Sequence, residues 1–273
     1  MNLQKTGTKT SQAVPLIPPP AVKILGIPLW GLHLSEFVEL AGKSIKAERK
    51  ILFTTLGAPS LFAALNSKEF FNHFLQADIV LPDGILPVWI ARTLKYKVPE
   101  RTPGPDFVDL FLSVAEQEKF NIFFMGSTSD TLEKLKSNCL KKHPGLNIVG
   151  LLAPPFGEFD DETDSWLVNV INKTPPDVLF VGMTAPKQEL WLSRNFARLD
   201  ILFAMGIGAS FDYLAGNKPR VPKWLGKLGF EWLYRLVHEP KRLWRRNLGS
   251  AFMFLLLLKN YMANIIHTAL RKK

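Results

Sequence analysis

At 273 residues, 47% hydrophobic and 21% charged, the chain can bury a sizeable core and reads as one large globular domain with an appendage. Cys139 is the only cysteine, which excludes an internal disulfide and a cysteine-based zinc site and suits a reducing compartment. The net charge is +10, yet residues 218–273 alone carry thirteen Lys/Arg against Glu231 and Glu239; that tract is +11 and residues 1–217 sum to −1, so the imbalance belongs to one C-terminal segment and points to an anionic partner.

Residues 1–21 read as a flexible, polar, proline-ended tail without the basic start, apolar run and small-residue cleavage site of a signal peptide. From residue 22, short runs rich in β-branched and aromatic residues alternate with segments of helical period. The strands are expected at Val22–Leu25, Ile51–Thr55, Ile79–Leu81, Ile122–Met125, Ile148–Leu151, Val178–Val181 and Ile201–Met205. Helices are expected near 35–47, 60–75, 84–95, 106–118, 129–142, 162–173, 187–197 and 210–215. Such alternation predicts an α/β fold over 22–217, a mostly parallel Rossmann-like sheet with helices on both faces.

Ligands of an open parallel sheet gather beyond the carboxyl ends of its strands. Here those ends read Thr54-Thr55-Leu56-Gly57, Pro82-Asp83-Gly84, Gly126-Ser127-Thr128, Gly182-Met183-Thr184 and Gly206-Ile207-Gly208-Ala209-Ser210. Any one is an ordinary strand-to-helix turn; five together favour a nucleotide or sugar-phosphate crevice, with small residues such as Gly182, Gly206 and Gly208 letting a ligand reach backbone N–H groups. Asp83 ends an apolar strand between Pro82 and Gly84, where its carboxylate either caps the next helix or faces the crevice as a general base. Lys187 and Gln188 follow Pro186 at a helix start, placed for a uracil edge, a sugar hydroxyl or a phosphate, or for solvent. Gly206-x-Gly208 lacks the third glycine of a dinucleotide fingerprint and comes late in the chain, which weakens a doubly wound oxidoreductase as the alternative. Asp160, Asp161, Glu162 and Asp164 contain no Asp-x-Asp metal-diphosphate pattern and read as a solvated helix start.

Residues 218–273 are expected to form a basic, helical, membrane-associating appendage in which Pro240 separates two helices. Arg235, Arg242 and Arg245 or Arg246 could converge on a phosphate there, since guanidinium forks bind it bidentately. The interleaved Trp224, Trp232 and Trp244 and the apolar run Ala251–Leu258 give the tract a greasy side. That run falls short of the roughly 18–20 residues of a spanning helix, and Lys259 sits where the bilayer centre would be, so a helix lying on the membrane is favoured over the alternative of a short span with a snorkelling lysine. The remaining rival, a non-enzymatic anchor or nucleic-acid binder, rests on the same charges.

In order, Pro82-Asp83-Gly84, Glu100-Arg101-x-x-Gly104, Val181-Gly182-x-x-x-Pro186-Lys187-Gln188-Glu189, Gly216-x-x-x-Arg220-x-Pro222-x-Trp224, Glu231-Trp232-x-x-Arg235 and Glu239-Pro240-x-Arg242-x-x-Arg245-Arg246 resemble the WecG/TagA/CpsF family of glycosyltransferases from residue 22 to about 247. The resemblance implies an inverting, metal-independent transfer, without cofactor, of an N-acetylmannosamine-like N-acetylhexosamine from a UDP donor to a polyprenyl-diphosphate-linked sugar in surface polymer synthesis. It implies Asp83 as catalytic base, Thr55, Arg101 and Gln188 as substrate-positioning residues, and Arg235, Arg242 and Arg245 as cations for the departing diphosphate. The chain departs from the family where Thr55-Leu56-Gly57 stands for a common Thr-x-Asn, and at Thr184 and Val221. The expected partners are the two substrates and an anionic membrane surface, not nucleic acid, with the protein cytoplasmic and peripheral to the inner face; homo-oligomerisation is left open.

Overall fold

A computed structural model of the chain describes residues 17–222, 225–226 and 231–238. Its centre is a six-stranded, wholly parallel sheet, so the α/β expectation holds. The first expected strand is not part of that sheet. Val22–Ile24 (β1) pairs antiparallel with Ile27–Leu29 (β2) in a separate hairpin, turned by Leu25 and Gly26 with positive φ. The sheet begins with Ile51–Leu56 (β3) and continues with Ile79–Pro82 (β4), Asn121–Gly126 (β5), Asn147–Leu152 (β6), Val178–Gly182 (β7) and Phe203–Gly206 (β8), in the spatial order β4-β3-β8-β7-β5-β6. The hairpin leads to Trp30, whose backbone N–H donates to Val80 O at 3.0 Å and so covers part of the β4 edge.

The helices are Leu34–Lys46 (α1), Ala58–Asn66 (α2), Lys68–Gln76 (α3), Ile85–Thr93 (α4), Gly104–Glu118 (α5), Ser129–Lys142 (α6), Asp161–Asn172 (α7), Lys187–Asn195 (α8), Ser210–Leu214 (α9) and, beyond the core, Glu231–His238 (α10). The single helix expected over 60–75 is two, because Ser67 is extended and its hydroxyl caps α3 by accepting from Phe70 N at 3.2 Å. Strand β8 starts at Phe203, two residues later than expected, since Leu202 N and Phe203 N both donate to Asp177 O before the ladder begins.

Burial on both sides explains why the strands are apolar throughout; β4, β7 and β8 are buried at every residue. Helix α5 lies across the centre through Phe107 and Phe111, one turn apart. Their rings pack with Phe53 of β3 and Phe203 of β8, with centroids 5.7 Å (Phe53–Phe107) and 5.4 Å (Phe111–Phe203) apart. Aromatic pairs of this kind add about 0.5–1.5 kcal/mol each beyond their buried area. The rigid stack aims the N-terminus of α5 at the carboxyl end of β3.

Candidate active site

Strands β3 and β4 run side by side with Thr55 opposite Leu81 and Leu56 opposite Pro82, so both chains leave the sheet at the same level. Asp83 N donates back to Leu56 O at 2.9 Å, which fastens the Asp83 turn to the end of β3. Gly57 is buried against it: a Cβ on Gly57 would lie 3.2 Å from Asp83 O and 3.8 Å from its Oδ2. A side chain at this position would press on the Asp83 turn, a contact that glycine avoids. A Cβ on Gly104 would meet Ser210 Oγ at 3.8 Å and Thr55 Cγ2 at 4.0 Å, which brings the start of α5, the start of α9 and the expected Thr55 to one place.

Three helices begin around this mouth, with N-caps Gly57 (α2), Gly84 (α4) and Pro103 (α5), and none has a side-chain cap. By contrast, Ser67 and Asp160 cap α3 and α7 with their side chains, and Thr128, after the carboxyl end of β5, caps α6. The capping role weighed for Asp83 thus falls to Gly84, whose φ of 85° suits a residue without Cβ. The partial positive charge of uncapped helix starts favours an anion. Two buried hydroxyls of the same region, Thr102 Oγ1 and Ser210 Oγ, have no hydrogen-bond partner among the described residues, while Thr102 N donates to Pro82 O at 2.6 Å just before Asp83. Ser210 closes one of the five strand-end segments and Thr102 falls between the named residues of Glu100-Arg101-x-x-Gly104, but neither stands out in the sequence.

Other expected residues are placed differently from the reading above. Gln188 does not project into the mouth; it is buried, and its Oε1 accepts from Met183 N at 3.2 Å and Gly208 N at 3.0 Å while its Nε2 donates to Glu189 Oε1 at 2.8 Å. It ties the loops after β7 and β8 together. Those two N–H groups are occupied by protein, and the glycines make room for protein too: a Cβ on Gly206 would fall 2.9 Å from Gln188 Nε2, and one on Gly182 would fall 2.3 Å from the Phe211 ring. Gly208 has φ 45°. Lys187 turns toward the segment before α7, with its ammonium 3.5 Å from the centre of the Phe159 ring and donating to Gly157 O. Burial lowers its pKa, against the opposing pull of Glu158 and Asp164.

Beneath Gln188 lies a buried polar network. Glu189 is buried, and burial pushes its carboxyl up to about 7; its Oε2 has no hydrogen-bond partner among the described residues. His73 bridges Ser193 Oγ at 2.8 Å and Thr54 Oγ1 at 2.9 Å, and burial pulls its pKa down to about 4.

Arg101 reaches out of the core. Its Nη1 donates to Glu231 Oε2 at 2.7 Å, with side chains only 17% and 20% exposed, so the loop before α5 is joined to α10. Arg220 and Lys218, counted in the basic tract, pair with Asp106 of α5 and Asp212 of α9. Of the expected phosphate-binding arginines, Arg235 lies on α10, and Arg242 and Arg245 fall outside the described residues. Among the described residues no group of three or more His, Cys, Asp or Glu could hold a metal, and no helix is long and apolar enough to cross a membrane.

Residues 22–265 match the family described as Glycosyl transferase WecG/TagA/CpsF family. The chain belongs to this family. It is a glycosyltransferase. It is 29% identical over 238 residues to a Bacillus subtilis (strain 168) protein named N-acetylglucosaminyldiphosphoundecaprenol N-acetyl-beta-D-mannosaminyltransferase, covering 86% of this chain and 90% of the relative. Proteins of the same name from Bacillus spizizenii (28% identity; 85% and 88% covered) and Staphylococcus aureus strain MW2 (28%; 85% and 91%) are similar over the same extent. The similarity thus includes both the Asp83 mouth and the appendage beyond Arg101.

Proposed function

We propose that the protein transfers an N-acetylmannosamine-like N-acetylhexosamine from a UDP donor to the sugar of a polyprenyl-diphosphate-linked acceptor, with inversion, for a cell-surface glycopolymer. The relatives' names supply the acceptor class and the transferred sugar. The observation that carries the chemistry is Asp83, fastened at the carboxyl end of β4 beside three helix starts without side-chain caps. The Asp83 carboxylate accepts the proton of the acceptor hydroxyl as that oxygen bonds to the anomeric carbon of the donor. The anomeric carbon–phosphate oxygen bond breaks on the opposite face, and UDP leaves with the electron pair. Negative charge growing on the diphosphate meets the helix N-termini and the cations of the appendage, Arg235, Arg242 and Arg245, and no metal is required.

Thr55 lines the donor side of the same mouth. Gln188 acts indirectly, by fixing the loops after β7 and β8 that border it. The appendage, residues 218–273, rests on the inner face of the cell membrane, where the lipid-linked acceptor is found; Arg101 and Glu231 hold it to the core. Screening UDP-sugars for UDP release with a short-chain polyprenyl-diphosphate-N-acetylglucosamine acceptor tests the reaction. Truncation after residue 217 should leave a folded core without turnover; a truncated core as active as the full chain overturns the role given to the appendage.

A further inference from the structure

Helix α4 buries Leu86, Val88 and Ala91 against the core but leaves Ile85 and Trp89, one turn apart, 38% and 47% exposed. It ends in a closed turn: Lys95 N donates to Arg92 O at 2.9 Å and Tyr96 N to Ala91 O at 3.0 Å, with Lys95 left-handed at φ 64°. Arg92 clasps the outgoing chain through Val98 O at 3.2 Å and Pro99 O at 2.7 Å. This fixed turn holds Leu94 and Tyr96 half exposed, with Lys95 and Lys97 exposed on either side of Tyr96. An apolar, aromatic and basic strip therefore starts two residues after Asp83.

The charges on the strip say what it meets. Lys95 and Lys97 form no ion pair among the described residues. The neighbouring acids have partners of their own: Glu36 accepts from His33 N at 2.7 Å, and Glu100 accepts from Leu34 N at 2.9 Å and lies 3.4 Å from His33 Nδ1. His33, Arg92, Tyr96 and Lys97, with Glu36 as the one carboxylate, also border an open cavity of about 520 Å³. A second copy in a two-fold contact would bring two sets of these lysines to one interface. Tryptophan and tyrosine prefer the membrane interface, and lysines beside them are attracted to anionic lipid.

We propose that α4 and the 94–97 turn form a membrane-contact surface on the core itself, separate from the basic C-terminal tract, which seats the Asp83 mouth against an anionic bilayer. It deepens the reading above and rests on it only in taking the acceptor to be membrane-bound. The chain then meets lipid at two places, and the mouth has a defined orientation to it.

The test uses the full chain with an environment-sensitive fluorophore on Tyr96→Cys, and on Ser137→Cys of α6, at the opposite edge of the sheet, as control. Native Cys139 is buried and its thiol is pushed up to about 12, so it reacts slowly. With phosphatidylglycerol–phosphatidylcholine vesicles, the label at 96 should shift to the blue and be quenched by brominated lipid, while the label at 137 does neither. The variant Lys95→Gln/Lys97→Gln should bind these vesicles about tenfold or more weakly, while turnover of a water-soluble short-chain acceptor stays unchanged. A label at 96 that is blind to vesicles with which the chain sediments overturns the proposal, as does unaltered vesicle binding by the lysine variant. A label shift that follows protein concentration without lipid also overturns it, in favour of a contact between copies. Vesicle contact at 96 with no UDP release from any UDP-sugar would defeat the functional reading and leave this surface standing.

Discussion

Replacing Glu189 by glutamine isolates the strangest electrostatic feature of the core. The carboxyl sits fully buried, accepts from Gln188 Nε2 at 2.8 Å, and titrates near 7 where an ordinary glutamate titrates near 4.5. Between those values the folded chain holds a proton that the unfolded chain has released, so stability falls as pH rises through this window. The full loss is about 3 kcal/mol, reached above pH 7. His73 works the other way: its folded value of about 4 lies below the ordinary 6.5, so the unfolded chain binds the extra proton and stability rises with pH from about 4 to 6.5, again by about 3 kcal/mol. The two slopes nearly cancel in the wild type over pH 4.5–6.5. Glu189→Gln keeps an acceptor for Gln188 and removes only the titration. Urea denaturation should find the variant about 3 kcal/mol more stable than wild type at pH 8, equal to it near pH 4.5, and rising in stability between pH 4 and 6.5. A variant less stable than wild type at pH 8 would refute the reasoning, because it would mean that an ionised Glu189 contributes to folding.

Three further outcomes follow from the site. Gln188→Ala leaves Met183 N and Gly208 N without their acceptor and should cost about 2–5 kcal/mol in chemical denaturation, with turnover lost because the loops after β7 and β8 part. Arg101→Ala and Glu231→Ala should be non-additive in a double-mutant cycle on lipid-acceptor turnover; a coupling of about 1–2 kcal/mol is expected for a pair mostly shielded from water, and strict additivity would mean that Arg101 acts apart from the appendage. Gly182→Ala drives a methyl into the Phe211 ring and should destabilise by about 1–3 kcal/mol, seen as a Tm lower by about 2–10 °C in scanning fluorimetry.

The parallel sheet was legible because burial on both faces demands the apolar runs that mark β4, β7 and β8. The hairpin was not: Ile27–Leu29 is three residues with a central proline, and nothing local distinguishes a two-stranded flap from the first strand of the sheet. Asp83 stood out because Pro82 and Gly84 isolate a carboxylate at the end of an apolar strand. The glycines are ambiguous for an equally physical reason, since room for a ligand and room for Phe211 or Gln188 leave the same residue in the sequence. Gln188 itself looks like any polar residue of a first helical turn; only the approach of the β8 loop, 20 residues later, buries its amide. The Arg101–Glu231 contact joins residues 130 apart and leaves no periodic signal. The expected diphosphate cations Arg242 and Arg245 lie outside the described residues, so their role rests on the family resemblance and on the charge of the tract.

The central claim is that Asp83 takes the acceptor proton in a transfer from a UDP-sugar. Its most direct measurement is UDP release from UDP-N-acetylmannosamine with a short-chain polyprenyl-diphosphate-N-acetylglucosamine acceptor, for wild type and Asp83→Asn, with UDP affinity measured alongside. The account predicts sugar-dependent UDP release by wild type, turnover in Asp83→Asn reduced about 100-fold or more, and UDP bound equally well by both. Turnover by Asp83→Asn near the wild-type rate, or equal loss of turnover and UDP binding, would contradict it.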